Sequence, residues 1–465
     1  MEKSLVFDYF KKISQIPRGS GNEKGISDYL VKLGEEKGYK VVQDKALNIV
    51  MDVPASKGKE NNKRVILQGH MDMVCEKLQE SDHDFLKDPI ELIQDGDKLH
   101  ANKTTLGADD GVGLASALAL AEETSHGPMT IIVTVSEETD MHGAKELDPK
   151  HLEGDYLINI DSEDEGVLTV SSAGGKQYQG IFAPEYENFE GTILKIDFGG
   201  FEGGHSGVEI AKNKGNMIKV MADFVKLSKA RLVDFNCGTK DNAIPREGFL
   251  KIELKEDIFE EIKKEIEEKY KEVEGKLEIK AEKEDYKGKI KNKKSTEDFA
   301  DLLLALPTGV KSYTDESKKF LESSSNLAIV RRFTEDEEKY EIKDSIRFAK
   351  SSLLEDFEKT FTEISKGYPV EVNFINYYPE WEYKKESDFR ELVNKTYKDQ
   401  YGKEMSLEIT HGGLECGVFY KKNPNLDIVS IGPTITGAHT PKETLYIEST
   451  KRVYKHLKAI VENLK

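Results

Sequence analysis

The chain has 465 residues, 33% of them charged, a formal net charge of −19 and three cysteines. Two domains are expected, because the length well exceeds the roughly 150 residues of a typical single core. The acidic balance disfavours nucleic acid and anionic membranes as partners, and no apolar run approaches the ~18 residues that a membrane span requires. Cys75, Cys237 and Cys416 are odd in number, widely spaced and without zinc-ribbon spacing, which suits a reducing compartment. The first eight residues lack the basic-then-apolar layout of a secretory leader, so a cytoplasmic location is expected.

In chain order, residues 4–16 and 22–37 place their apolar side chains at helical spacing and predict two amphipathic helices. Residues 41–42 and 47–51 read as strands, and 65–70 as a continuous apolar run too short for a helix, which is how a buried parallel strand reads. Residues 77–98 are polar, with Pro89 and Gly96, and predict a long surface excursion. A helix over 112–122, a strand over 129–135 and a strand over 156–160 complete an alternation typical of an α/β sheet. After the small, flexible stretch 171–175 the pattern changes. Strands at 194–198, 249–254, 327–333 and 340–348 stand beside helices at 206–228 and 257–272, which suggests an α+β insert. The Lys- and Glu-rich region 255–294 reads as a solvated helix face and hairpin. A helix over 387–397, strands over 406–409 and 427–431 and a last helix over 448–464 restore the first pattern. The expected domains are therefore 1–174 and 381–465 as two segments of one, and 175–380 as the insert.

The chemistry gathers at the carboxyl ends of the apolar runs, the edge at which open α/β sheets bind ligands. His70, Glu138, Asp161 and His439 each follow such a run, and Asp109 opens the helix after Gly107. Imidazoles and carboxylates suit zinc or a similar dication, and two close metals need a shared carboxylate. Asp109 with His70 and Asp161 would fill one site, and Asp109 with Glu138 and His439 the other. Each site would keep an open position, as catalytic sites do. Asp72 could accept the second ring N–H of His70, and Glu137, not needed as a ligand, is the candidate general base.

Several stretches carry a resemblance. Gly69-His70-Met71-Asp72-Met73-Val74, Thr105-Leu106-Gly107-Ala108-Asp109, Ser136-Glu137-Glu138 and Asn159-Ile160-Asp161-Ser162-Glu163-Asp164-Glu165-Gly166 lie in the first segment. Gly203-Gly204-His205-Ser206-Gly207, Asn242-Ala243-Ile244-Pro245-Arg246, His411-Gly412-Gly413-Leu414-Glu415-Cys416-Gly417 and Ser430-Ile431-Gly432-Pro433-Thr434 follow. Together they resemble the di-zinc aminopeptidase and carboxypeptidase clan, and within it the aminoacyl-histidine (Xaa-His, carnosine-type) dipeptidases.

The resemblance implies a zinc-binding α/β catalytic domain, with a central mixed sheet flanked by helices, interrupted by an α+β lid. It also implies two Zn2+ per chain, with Mn2+ or Co2+ as possible substitutes, short-peptide substrates and a homodimer. Asp110 stands where the family pattern has Asn, which leaves two adjacent aspartates for the bridge; Asp109 aligns with the bridging residue. Thr139-Asp140 and Ala438 also depart from the pattern without removing a ligand. His205 on its own reads as a helix cap with Ser206, whereas the resemblance makes it the donor to the oxyanion. Arg347, Asn242, Gly432 and Thr434 become candidates for gripping the peptide carboxylate, and Glu415 for the substrate amine.

The expected reaction is hydrolysis of dipeptides with a free amino terminus, including Xaa-His. Rival readings are an N-acyl amino acid deacylase or tripeptidase of the same clan, and an inert metal-binding scaffold. An N-acetylated dipeptide separates the first from a dipeptidase. The presence of Glu137 beside the ligands argues against the second.

Overall fold

The structure, a computed structural model, describes residues 4–212, 214–273, 275–314 and 320–465. Residues 1–3, part of the stretch on which the leader reading rests, lie outside it. The chain forms two compact units, one of residues up to 172 with 381–410 and 414–465, the other of 173–380 with 411–413.

The first unit is built on an eight-stranded mixed sheet. Its centre is the fully buried strand Val65–His70, parallel to Met129–Thr134 on one side and to Tyr156–Asn159 on the other. Asp427–Ser430 is in turn parallel to Tyr156–Asn159. These are the continuous apolar runs of the sequence, and they are continuous because side chains on both faces of the strands are buried. Their shared direction brings His70, the turn after Thr134, the turn after Asn159 and the turn after Ser430 to one edge. Toward the sheet's margin Ile49–Val53 and Lys40–Gln43 run antiparallel, so the sheet is mixed, as the sequence predicts. The opening helix Leu5–Ser14 buries Val6, Phe7, Phe10 and Ile13, and the closing helix Ile447–Asn463 buries Val453, Leu457, Ile460 and Val461. Apolar burial of this kind contributes roughly 25 cal/mol per Å2 and is what holds the helices to the sheet.

A small four-stranded sheet joins Ile435–Thr436, Thr444–Tyr446, Lys98–Ala101 and Leu92–Asp95. The excursion over 77–98 thus ends in a hairpin, whose turn uses the positive φ of Gly96. The chain leaves the first unit at Ser172 and re-enters at Trp381, and the two residues exchange both backbone hydrogen bonds, at 3.1 and 3.0 Å.

The second unit is a nine-stranded antiparallel sheet with helices. Two sequence expectations change here. The helix expected over 206–228 is two, Ser206–Glu209 and Met217–Ser228, because Asn216 caps the second through its side chain on the Ile218 N–H. The Lys- and Glu-rich region contains the helix Glu256–Lys269, with Phe259, Ile262 and Ile266 buried, followed by a single long edge strand, Gly275–Lys291. That strand pairs with Tyr186–Phe201 and does not form a hairpin within itself.

Candidate metal centre

His70 ends its strand fully buried, with Nδ1 3.2 Å from the main-chain oxygen of Asp72 and 3.4 Å from its Oδ1. The other ring nitrogen, Nε2, lies 3.1 Å from Asp109 Oδ1 and 3.3 Å from Asp161 Oδ1. His439 Nε2 lies 3.1 Å from Asp109 Oδ2 and 2.9 Å from Glu138 Oε2. The two oxygens of Asp109 are thus divided between two histidines, each with one further carboxylate beside it. Glu137 Oε2 stands 3.9 Å from His70 Nε2. Ligand atoms of His70, Asp109 and Glu138 all lie within 4.8 Å of one another.

Local backbone explains how neighbours take different directions. Ser136 has φ 55°, a left-handed turn that stops the strand and presents Glu137 and Glu138. Glu23 accepts from both the N–H and the hydroxyl of Ser136, each at 3.1 Å. Asp72 accepts from the Ser20 hydroxyl at 2.7 Å and from the N–H groups of Glu137 at 3.1 Å and Glu138 at 3.3 Å. So Asp72 orients His70 and the acidic turn together. Asp110 points the other way, accepting from the His70 N–H at 3.2 Å and the Gly113 N–H at 3.1 Å. A Cβ at Gly69 or at Gly113 would come within 2.1 Å of the Asp110 carboxylate, so the close approach requires glycine at both places.

Electrostatics follow from packing many carboxylates around two imidazoles. Burial, with the Asp161, Glu138 and Glu415 charges, pushes Glu137 well above the usual range. Burial and Asp109 raise Asp161 to about 7, and burial with Asp109 and Asp161 raises Glu163 to about 8. Hydrogen bonds to Asp109 and Glu138 hold His439 up to about 11. Burial opposes a charge on His70, but the Asp161, Asp109 and Asp72 carboxylates outweigh it. An oxygen- and imidazole-lined cluster with surplus negative charge fits divalent cations. Glu138 Oε1, buried and without a hydrogen-bond partner among the described residues, is a donor atom of the kind a metal takes up.

Glu415 is fully buried; its Oε2 accepts from Gln68 at 2.6 Å and Thr134 at 2.7 Å, and its Oε1 has no hydrogen-bond partner among the described residues. Gln68 continues this polar chain to Asn159 at 2.7 Å. Glu415 therefore lies inside the strand-end network and not on an open surface, with burial raising it to about 8. Gly432 packs on the backbone of Ser162, where a Cβ would meet the Ser162 oxygen at 1.6 Å. The Thr434 N–H donates to Ser449 at 2.8 Å, and its carbonyl accepts from Tyr446.

In the second unit, His205 pairs with Ala243, and its Nδ1 accepts from the Gly207 N–H at 3.2 Å. The Asn242 carbonyl accepts from the Ser206 N–H at 2.8 Å. Arg347 is buried, donating to the Tyr378 hydroxyl at 3.2 Å and the His411 carbonyl at 3.1 Å. A Cβ at Gly207 would come 3.0 Å from His205 and 3.3 Å from Arg347, so the unit gathers His205, Asn242 and Arg347 in one place.

Sequence reasoning missed Arg18, Ser20, Glu23 and Glu443, polar residues that meet the centre from distant segments. Of these only Glu443 had a local signal, as an acid closing the His439-Thr440-Pro441-Lys442-Glu443 turn.

A mixed α/β sheet with histidines and carboxylates converging at its strand ends defines a metal-binding hydrolase. The chain belongs to the peptidase family M20/M25/M40, whose model matches residues 66–463, and is thus a peptidase. It is 37% identical to the cytosol non-specific dipeptidase of Escherichia coli (strain K12), over 99% of this chain and 97% of that protein. The crystal structure of aminoacylhistidine dipeptidase from Vibrio alginolyticus superposes with a TM-score of 0.85 at 31% identity, covering 100% of this chain and 97% of that one. Aminopeptidase PepT from Bacillus cereus, at 16% identity and a TM-score of 0.58 over 98% and 97% of the two chains, shares the fold. No helix among the described residues is long and apolar enough to cross a membrane.

Proposed function

We propose that the chain is a di-zinc dipeptidase that cleaves dipeptides with a free amino terminus, Xaa-His dipeptides included. The observation that carries the reading is the division of the Asp109 carboxylate between His70 and His439, each with its own further acid. Zinc bound by His70, Asp109 and Asp161 and by Asp109, Glu138 and His439 would polarise the scissile carbonyl and make a nucleophile available at neutral pH. Glu137, beside this cluster and not needed as a ligand, takes the proton of the attacking water and returns it to the leaving amine. Asp72 keeps His70 and the Glu137–Glu138 turn in register through the four contacts already given.

His205, Asn242 and Arg347 are assigned to the substrate, His205 to the oxyanion and Arg347 with Asn242 to the carboxylate. The names of the Escherichia coli and Vibrio relatives support the dipeptide class, and the former supports a cytosolic location. A homodimer is the assembly we assign. The test is a panel of free and N-acetylated dipeptides, X-His among them, with metal content measured beside rate. Free dipeptides should be cleaved, acetylated ones spared, and a chelator should abolish turnover until Zn2+ or Mn2+ is returned. Cleavage of only the acetylated members would make the chain a deacylase instead.

A further inference from the structure

Glu443 closes the turn that carries His439, and its side chain ends on the segment that carries Asp109. Its Oε2 accepts from the N–H groups of Leu106 at 2.7 Å and Gly107 at 2.9 Å, and its Oε1 from those of Ala108 at 2.7 Å and Asp109 at 3.2 Å. Four consecutive amides on one buried carboxylate form an anion nest, and such charge-assisted bonds are stronger than neutral ones. On its own side Glu443 is fixed by its N–H on the Thr440 carbonyl at 3.0 Å, and Thr440 by its N–H on Gly437 at 3.2 Å, with His439 between them at φ 61°. Arg18, 2% exposed, closes the same segment by donating to the Gly107 carbonyl, and it also donates to the Met71 and Asp72 carbonyls at 2.9 Å each. The left-handed φ of Gly107 and the 2.5 Å that would separate its Cβ from Arg18 allow only glycine there. The buried carboxylate and the buried guanidinium are thus the two ends of one clasp around Leu106–Asp109, which compensates the charge of each.

We propose that Glu443 is a positioning residue of the metal centre: its carboxylate locks the Asp109 segment to the His439 turn, so that both ligands are held at their shared site before metal arrives. This rests on reading Asp109 and His439 as ligands. Groups that orient metal ligands contribute about 10- to 100-fold to metal affinity. The experiment titrates Zn2+ or Co2+ against a chromophoric chelator on the full chain carrying Glu443→Gln or Glu443→Ala. Glutamine keeps the volume but turns an NH2 toward amides that need an acceptor. Both variants should melt cooperatively in excess chelator, bind metal about 10- to 100-fold more weakly and lose kcat while KM holds. Unchanged metal affinity in a folded variant overturns the assignment, since a purely structural role lowers the melting temperature and leaves affinity alone.

If neither variant folds, amide exchange on the unmodified chain in excess chelator decides. Slow exchange at residues 107–109 upholds the clasp, and exchange as fast as an exposed turn overturns it. Asp109→Asn separates the two readings. Metal retained there refutes the ligand assignment, whereas metal lost there but kept in Glu443→Gln refutes only the role of Glu443.

Discussion

Asp109 and Asp110 carry the same side chain on adjacent residues, and one faces two histidines while the other caps backbone amides at His70 and Gly113. The same division separates Glu137 from Glu138, whose side chains leave a left-handed turn in different directions. Glu138 lies 2.9 Å from His439, and Glu137 lies at the edge of the His70 side. Their roles should therefore separate on substitution. Glu137→Gln keeps shape and should retain metal while kcat falls by at least about 10²-fold, the lower end for removing a general base. Glu138→Ala should lose metal, and adding metal should recover activity only in part. Metal content measured beside kcat for each variant checks this, and metal loss from Glu137→Gln with retention in Glu138→Ala would exchange the assignments.

Among the elements, the turns bearing His70, Glu138 and Asp161 were legible because each follows an apolar run of strand length, and parallel strands end at one edge, whereas Asp109 opens a helix and His439 lies in the turn between the antiparallel strands Ile435–Thr436 and Thr444–Tyr446. What the sequence could not display is the set of side chains that hold those turns. Arg18 and Glu23 meet backbone groups of remote segments, and nothing local distinguishes them from solvated charges, whereas Glu443 is marked only by its place at the end of the His439 turn. The helices Lys293–Ala305 and Ser351–Ser365 were hidden for a related reason. Their buried stripes, with Phe299, Leu302 and Leu303 in one and Leu354, Phe357 and Phe361 in the other, are interleaved with polar and charged residues.

Glycine-dependent packing gives the element-scale prediction. A Cβ at Gly113, in the helix behind Asp109, would come 2.4 Å from the Ile160 carbonyl oxygen, whereas one at Gly25 would meet only Ile16 at 3.6 Å. Gly113→Ala should cost about 1–3 kcal/mol through overpacking, and Gly25→Ala should be neutral or stabilise by up to about 1 kcal/mol. Denaturant melts of the two variants check the contrast, and equal stability would refute the close approach at Gly113.

Acid sensitivity of the whole molecule is carried by a buried neutral histidine remote from the centre. Burial lowers His456 to about 4, where its Nε2 lies 2.9 Å from the Val393 carbonyl oxygen and 3.2 Å from the Thr396 hydroxyl. Between pH ~6.5 and ~4 the unfolded chain takes a proton that the folded His456 refuses, so stability is full above that window and falls as pH falls. The loss is on the order of 3 kcal/mol by the lower limit of the window. Melts in excess chelator from pH 7 to 4.5 should fall more steeply for the unmodified chain than for His456→Gln, and parallel curves would contradict this.

If two metals share Asp109, metal bound per chain, measured on folded protein after saturation and desalting, must reveal it. Two metal equivalents are expected for the unmodified chain, with the loss of one in His439→Ala and the loss of both in Asp109→Ala. One equivalent in the unmodified chain, or an Asp109→Ala protein that gives up no more metal than His439→Ala, would contradict a shared carboxylate.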